Sequence, residues 1–131
     1  MVNSIQNSLF SWIDSALSQA IPAETVAFHF NLYEGIDSVH VQLTGTKTFD
    51  PGENPLTDYW PGPEVFSTGE NIFEVPLTVA GADWQEWLKT LMDMVTTYLA
   101  QGAKSSILRD SSGVGIGFVD GDMHLLWQPD A

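Results

Sequence analysis

The sequence predicts an α+β domain: an antiparallel sheet of about five strands with two amphipathic helices packed on one face. Three observations carry this. Apolar residues recur at three- and four-residue spacing in two segments, one near the N-terminus and one after residue 83. Period-two alternation runs through residues 26–33, 39–44 and 114–127. The pair Asp120-Gly121 separates the last two alternating runs, and Asp-Gly favours a two-residue hairpin because both turn positions need positive φ. A length of 131 residues suits a single α+β domain over residues 1–131, and 44% apolar with 11% aromatic residues is enough to fill a core.

Taken in order, Ile5, Leu9, Trp12, Ile13, Ala16, Leu17 and Ala20 form one helical stripe. Asn3 or Ser4 is placed to cap its start and Pro22 to stop it. Two strands follow, with Val26, Phe28, Phe30 and Leu32 on the apolar face of the first and Val39, Val41 and Leu43 on that of the second. The short connection Glu34-Gly35-Ile36-Asp37 makes them an antiparallel hairpin. His29, Asn31, Tyr33, His40, Gln42 and Thr44 then share the polar face, since a one-residue slip would exchange the faces. Residues 47–67 hold four prolines and two glycines, a composition that argues against any regular element there, and a short strand is expected at 72–77.

The second helix opens at Asp83-Trp84-Gln85-Glu86, which has capping-box spacing with Asp as the cap. Its stripe is Trp84, Trp87, Leu88, Leu91, Val95, Tyr98 and Leu99, so Trp84 is expected in the core. Gly102 suits the C′ position, and Lys104 suits the negative end of the helix dipole. A turn centred on Asp120-Gly121 pairs Phe118 with Met123, Ile116 with Leu125 and Val114 with Trp127. Gly115, Gly117 and His124 fall on the other face. With both helices on one side of the sheet, the second face carries His29, His40, Tyr33 and the glycines.

Composition narrows the function. Asp plus Glu number 17 and Lys plus Arg number 4, a formal net charge of −13. That argues against nucleic-acid binding, which needs a basic footprint, and against adsorption to anionic lipid. No cysteine is present, which removes disulfides, Fe–S clusters, Cys-zinc sites and a Cys nucleophile and fits a reducing cytoplasm. The first ten residues lack a basic n-region and a continuous apolar h-region, so no secretory signal is expected. No apolar run approaches the roughly 20 residues of a membrane span.

No enzyme motif stands out. His29, His40 and His124 supply imidazoles, but strand histidines are usually exposed or simply hydrogen-bonded, and no metal is expected. Asp120-Gly121-Asp122 lacks the further ligands of a calcium loop. Gly113-Val114-Gly115-Ile116-Gly117 lacks a following helix and a phosphate-binding Lys-Ser/Thr. Alternate glycines in a strand instead mark close packing against the backbone, by the chain's own loop or by a partner. Ser105, Ser106, Ser111 and Ser112 lack a nucleophile elbow. No catalytic residue and no cofactor are expected.

The remaining signal is acidic. From Asp50 to Glu86 there are eight carboxylates and no Lys or Arg, with Tyr59 and Trp60 among them. Acids around aromatics suit a basic protein partner, because charge steers encounter and aromatics supply hot spots. The expected partner-binding residues are Asp50, Glu53, Asp58, Tyr59, Trp60, Glu64 and Glu70.

Phe30-Asn31-Leu32-Tyr33-Glu34, Leu43-Thr44-Gly45-Thr46 with Phe49-Asp50, Trp60 with Glu64-Val65-Phe66, and Gly117-Phe118-Val119-Asp120-Gly121-Asp122 resemble a family of small acidic bacterial proteins. That family is similar to the immunity proteins encoded beside polymorphic or contact-dependent toxins. The resemblance spans Phe28 to Trp127. It implies a cytoplasmic inhibitor that neutralises a cognate toxin by direct binding, a nuclease among the candidates, and it supplies no catalytic residues. Three other readings stand beside it. A nucleic-acid mimic would need carboxylates in rows, whereas the first helix exposes only Asp14 and the second mixes Glu86 and Asp93 with Lys89. A small enzyme would use His and carboxylate residues in a concave site. A homodimer would pair sheet faces or a Trp patch.

Overall fold

The computed structural model describes residues 2–50, 60, 61, 63–119 and 123–129. The elements are α1 (Val2–Leu17), β1 (Ala27–Glu34), β2 (Ser38–Thr46), β3 (Phe49–Asp50), β4 (Trp60–Pro61), β5 (Glu64–Ser67), β6 (Phe73–Pro76), α2 (Leu77–Ala80), α3 (Trp84–Gln101), α4 (Ser105–Arg109), β7 (Val114–Phe118) and β8 (Met123–Trp127). The architecture is α+β.

The main sheet has six strands in the order β5-β2-β1-β7-β8, with β6 also pairing β2 beyond β5 on the same edge. It is mixed, which corrects the antiparallel expectation. The β1–β2 hairpin is antiparallel, with Phe30 opposite Leu43, but β1 and β7 run parallel, with Phe30 opposite Ile116. Direction follows from chain order. β2 reverses β1, β6 reverses β2, α3 carries the chain back, and β7 therefore runs with β1. A helix between two strands of one sheet produces a parallel crossover, not a hairpin.

One face of the sheet and the helices share the core. Leu9, Ile13, Ala16 and Leu17 of α1 and Trp87, Leu91, Met94, Val95, Tyr98 and Leu99 of α3 cluster with Phe28, Phe30, Leu32, Val39, Val41, Leu43, Val114 and Ile116. The stripes of both helices are thus used as the 3.6-residue period predicts except at their outer ends, where Ala20 lies beyond α1 and Trp84 is exposed. Tyr98 ties the two helices together: its buried hydroxyl donates to Asp14 Oδ1 at 2.5 Å and accepts from Lys104 N at 3.3 Å. Burial, then the Asp14 carboxylate, push the phenol well above its ordinary range.

Several expectations need correction. α1 includes Asn3 and Ser4 and ends at Leu17, ahead of Pro22. The stretch 47–67 does hold regular structure: β3 pairs β4, with Asp50 opposite Trp60, and β5 adds to the β2 edge. Prolines are compatible with such short edge pairings because no inner ladder needs their missing N–H. Gly102 ends α3 at φ −64°, not in the left-handed region. It is required instead for space, since a Cβ there would overlap the Tyr98 ring. Trp84 is 57% exposed and outside the core.

The second sheet face is covered towards its His29–Thr46 end and open towards Tyr33. His29 is 1% exposed, and Asn31, Thr44 and Thr46 are also buried. Part of the cover is the chain itself, because the Phe49 ring occupies the space a Cβ on Gly113 would need.

The β7–β8 hairpin departs from the expected register. Val114 faces Trp127 as predicted, but Gly115 then faces Leu125, Ile116 faces His124 and Gly117 faces Met123. A bulge between Val114 and Gly115 leaves Leu126 as the extra residue on β8. His124 therefore shares the helix-side face with Ile116, and Met123 and Leu125 move to the other face.

Candidate functional site

α3 runs against the direction of β1 and β7, so its first turn lies beyond the C-terminal ends of both strands. A cleft of about 1010 Å³ opens there. The sheet contributes Leu32, Tyr33, Glu34, Phe118, Val119 and His124; the helix side contributes Ala82, Asp83, Trp84, Trp87 and Leu88. Its size is at the upper end of that of small-molecule sites.

Each wall has a local cause. Asp83 caps α3, its Oδ1 accepting from Glu86 N at 3.0 Å, and Glu86 Oε1 accepts from Ala82 N at 2.9 Å. This reciprocal cap fixes the first turn. Trp87 is held by its indole N–H donating to Gly81 O at 2.9 Å and by a tilted contact with Phe118, centroids 6.4 Å apart. Trp84 lies one turn earlier. It continues the helical stripe of Trp87 and Leu91 but stands exposed at the edge of the cleft. Tyr33 borders the cleft while its hydroxyl donates to Gln42 Oε1 at 3.1 Å on the second face. Glu34 lies on the helix-side face, two residues after Leu32.

Among the described residues the exposed large hydrophobics are Tyr33, Ile36, Trp84 and Val119. Three of them line this cleft, and Ile36 sits in the adjoining β1–β2 turn. Among the described residues, the exposed large hydrophobics are thus gathered at one end of the fold.

The residues expected to bind a partner are placed as follows. Glu64 on β5 and Glu70 in the β5–β6 turn are exposed, and neither lines the cleft. Glu64 pairs with Thr46, at the opposite end of β2 from the cleft. Asp50 and Trp60 face each other across the β3–β4 ladder. Glu53, Asp58 and Tyr59 lie outside the described residues, as do the side chains of Asp50 and Trp60. Sequence reasoning did not assign Trp84, Glu34, Val119 or His124 to a site. The available signal was the position of Trp84 immediately after the cap, at the outer end of the stripe.

The histidines do not meet. His29 opposes Thr44 and His40 opposes Tyr33, well apart along the strands, and His124 faces the helix side. Among the described residues no three His, Asp or Glu side chains converge as metal ligands. Burial pulls the His29 imidazole down to about 4, so it is neutral near pH 7. Ser38, His40 and Glu74 form a compact group: Ser38 Oγ donates to Glu74 Oε1 at 3.1 Å, and His40 Nε2 lies 3.1 Å from Ser38 Oγ and 3.2 Å from Glu74 Oε1. The relay of a nucleophilic serine is lacking, because the hydroxyl proton points to the carboxylate and both contacts use one ring nitrogen.

Comparison with protein-family models, with curated proteins and with solved structures finds no match to this chain. Among the described residues no helix is long and apolar enough to cross a membrane.

Proposed function

We propose that this chain is an acidic protein-binding module that captures a basic protein partner, with the cleft at the start of α3 as its principal contact. In the form implied by the family resemblance, it is an immunity-type inhibitor that neutralises a bacterial toxin by occupying it. One observation supports this reading: Tyr33, Trp84 and Val119, three of the exposed large hydrophobics, border one cleft that Glu34 and Asp83 also line. Exposed aromatics supply hot spots. The net charge of −13 steers a basic partner from a distance. Glu64 and Glu70, away from the cleft, contribute to that field rather than to the contact.

The test is affinity capture from the host lysate at low and high salt, with identification and stoichiometry of the retained protein. We expect one basic protein at about equal stoichiometry, retained less at high salt and lost with Trp84→Ala, while Glu64→Gln and Glu70→Gln reduce capture only slightly. Absence of a basic partner at either salt concentration, or undiminished capture by Trp84→Ala, overturns the reading.

A further inference from the structure

The geometry points to an arginine side chain of the partner as the group the cleft receives. This rests on the docking role proposed above and names the chemistry recognised. The lining combines three indole or phenyl rings, Trp84, Trp87 and Phe118, with two carboxylates, Glu34 and Asp83. None of the chain's Lys or Arg residues lines it: Lys89, the nearest along α3, is bound to Asp93 at 3.0 Å. A guanidinium is flat, stacks on aromatic faces and pairs with a carboxylate through two parallel N–H donors. An aliphatic or aromatic partner side chain would satisfy the rings but bring apolar surface against the Glu34 carboxylate, at a desolvation cost.

The N-terminus of α3 opposes this, since its partial charge of about +0.5 favours anions. Here it is outweighed. Asp83 and Glu86 both cap that turn, and Glu34 faces it from β1. Of the first-turn amides, Glu86 N is engaged by the Asp83 carboxylate, which brings a full negative charge to that end of the helix. The electrostatic balance of the cleft is therefore negative, and its open aromatic wall is the exposed face of Trp84.

The experiment follows the indole Nε1–H resonances of Trp84 and Trp87 in the intact protein at low salt during titration with the tripeptide acetyl-Gly-Arg-Gly-amide. The expected result is a saturable shift of both signals. The citrulline peptide, which keeps the shape and loses the charge, should bind at least ten-fold more weakly, and the norleucine peptide no better than citrulline. Glu34→Gln should weaken the arginine peptide several-fold with the rest of the spectrum unchanged. No shift with the arginine peptide, or equal shifts with citrulline or norleucine, overturns the inference. So does a response to tetramethylammonium without one to arginine, which would mark a small-cation site. Indole shifts that depend on protein concentration alone would mark a self-association face and also overturn it. If the arginine peptide fails while partner capture still requires Trp84, the docking role stands and only the arginine is lost. If both fail, the cleft is not the docking site.

Discussion

Two tryptophans one turn apart on α3 have opposite roles. Trp87 is 8% exposed and hydrogen-bonded, whereas Trp84 is 57% exposed. Trp87→Ala should destabilise by about 3–5 kcal/mol, the usual range for deleting a buried aromatic. Trp84→Ala should change stability by no more than about 0.5 kcal/mol. Urea midpoints of the two variants check both values, and comparable losses would show that Trp84 packs as a core residue. The periodicity of the sequence marks both residues alike, because a stripe does not reveal which of its residues the core covers. His29 gives a pH prediction. Its folded value of about 4 lies below the ordinary 6.5, so the unfolded chain binds the proton first. Stability is therefore full above pH 6.5 and falls as pH drops from 6.5 towards 4, by about 2 kcal/mol between pH 7 and pH 5 from this group. Its ring resonances should stay unchanged down to pH 5.5, and a midpoint near 6.5 would disprove the burial effect.

At the scale of elements, α1 and α3 are joined by the Tyr98–Asp14 hydrogen bond, and Tyr98→Phe should cost about 1–2 kcal/mol because it strands a carboxylate partner. Denaturation of that variant beside Asp14→Asn checks it, and the double variant should lose less than the sum of the two. Gly113→Ala forces the Phe49 ring to move, and a loss of about 1–3 kcal/mol is expected from overpacking. Helices, hairpins and the β6 position were legible because each has its own period or turn signal. Strand direction was not, because it depends on the crossover by α3 and leaves no local mark. The register of β7–β8 was half legible: Val114 opposite Trp127 follows from the alternation, but the adjacent pair Leu125-Leu126 breaks phase at the bulge. Two successive apolar residues in an alternating run were the available clue. The cover on the second face was signalled only by the glycines of β7, which mark close packing there. The polar residues His29, Asn31 and Thr44 of that face satisfy the alternation rule, which reports only that two faces differ and not that either is wet.

On the scale of the whole molecule, 17 acidic against 4 basic residues produce a field that acts before contact. The association rate with a basic partner should fall by on the order of ten-fold or more from low to high salt, with the dissociation rate changing less. Stopped-flow measurement at several salt concentrations checks this, and a salt-independent association rate would remove charge from the recognition. The acidic balance was fully legible in composition, while the cleft was not, because its walls come from the ends of β1, α3, β7 and β8. Segments near residues 33, 84 and 119 must all be docked before the cavity exists. No fragment of the chain can therefore retain it, and an occupant binds only molecules that have completed folding. Thermodynamic linkage then makes the partner a stabiliser of the entire fold, worth about 2.7 kcal/mol at a concentration one hundred times its dissociation constant. Unpartnered copies lack that protection and would be cleared first by proteases that sample unfolded chains.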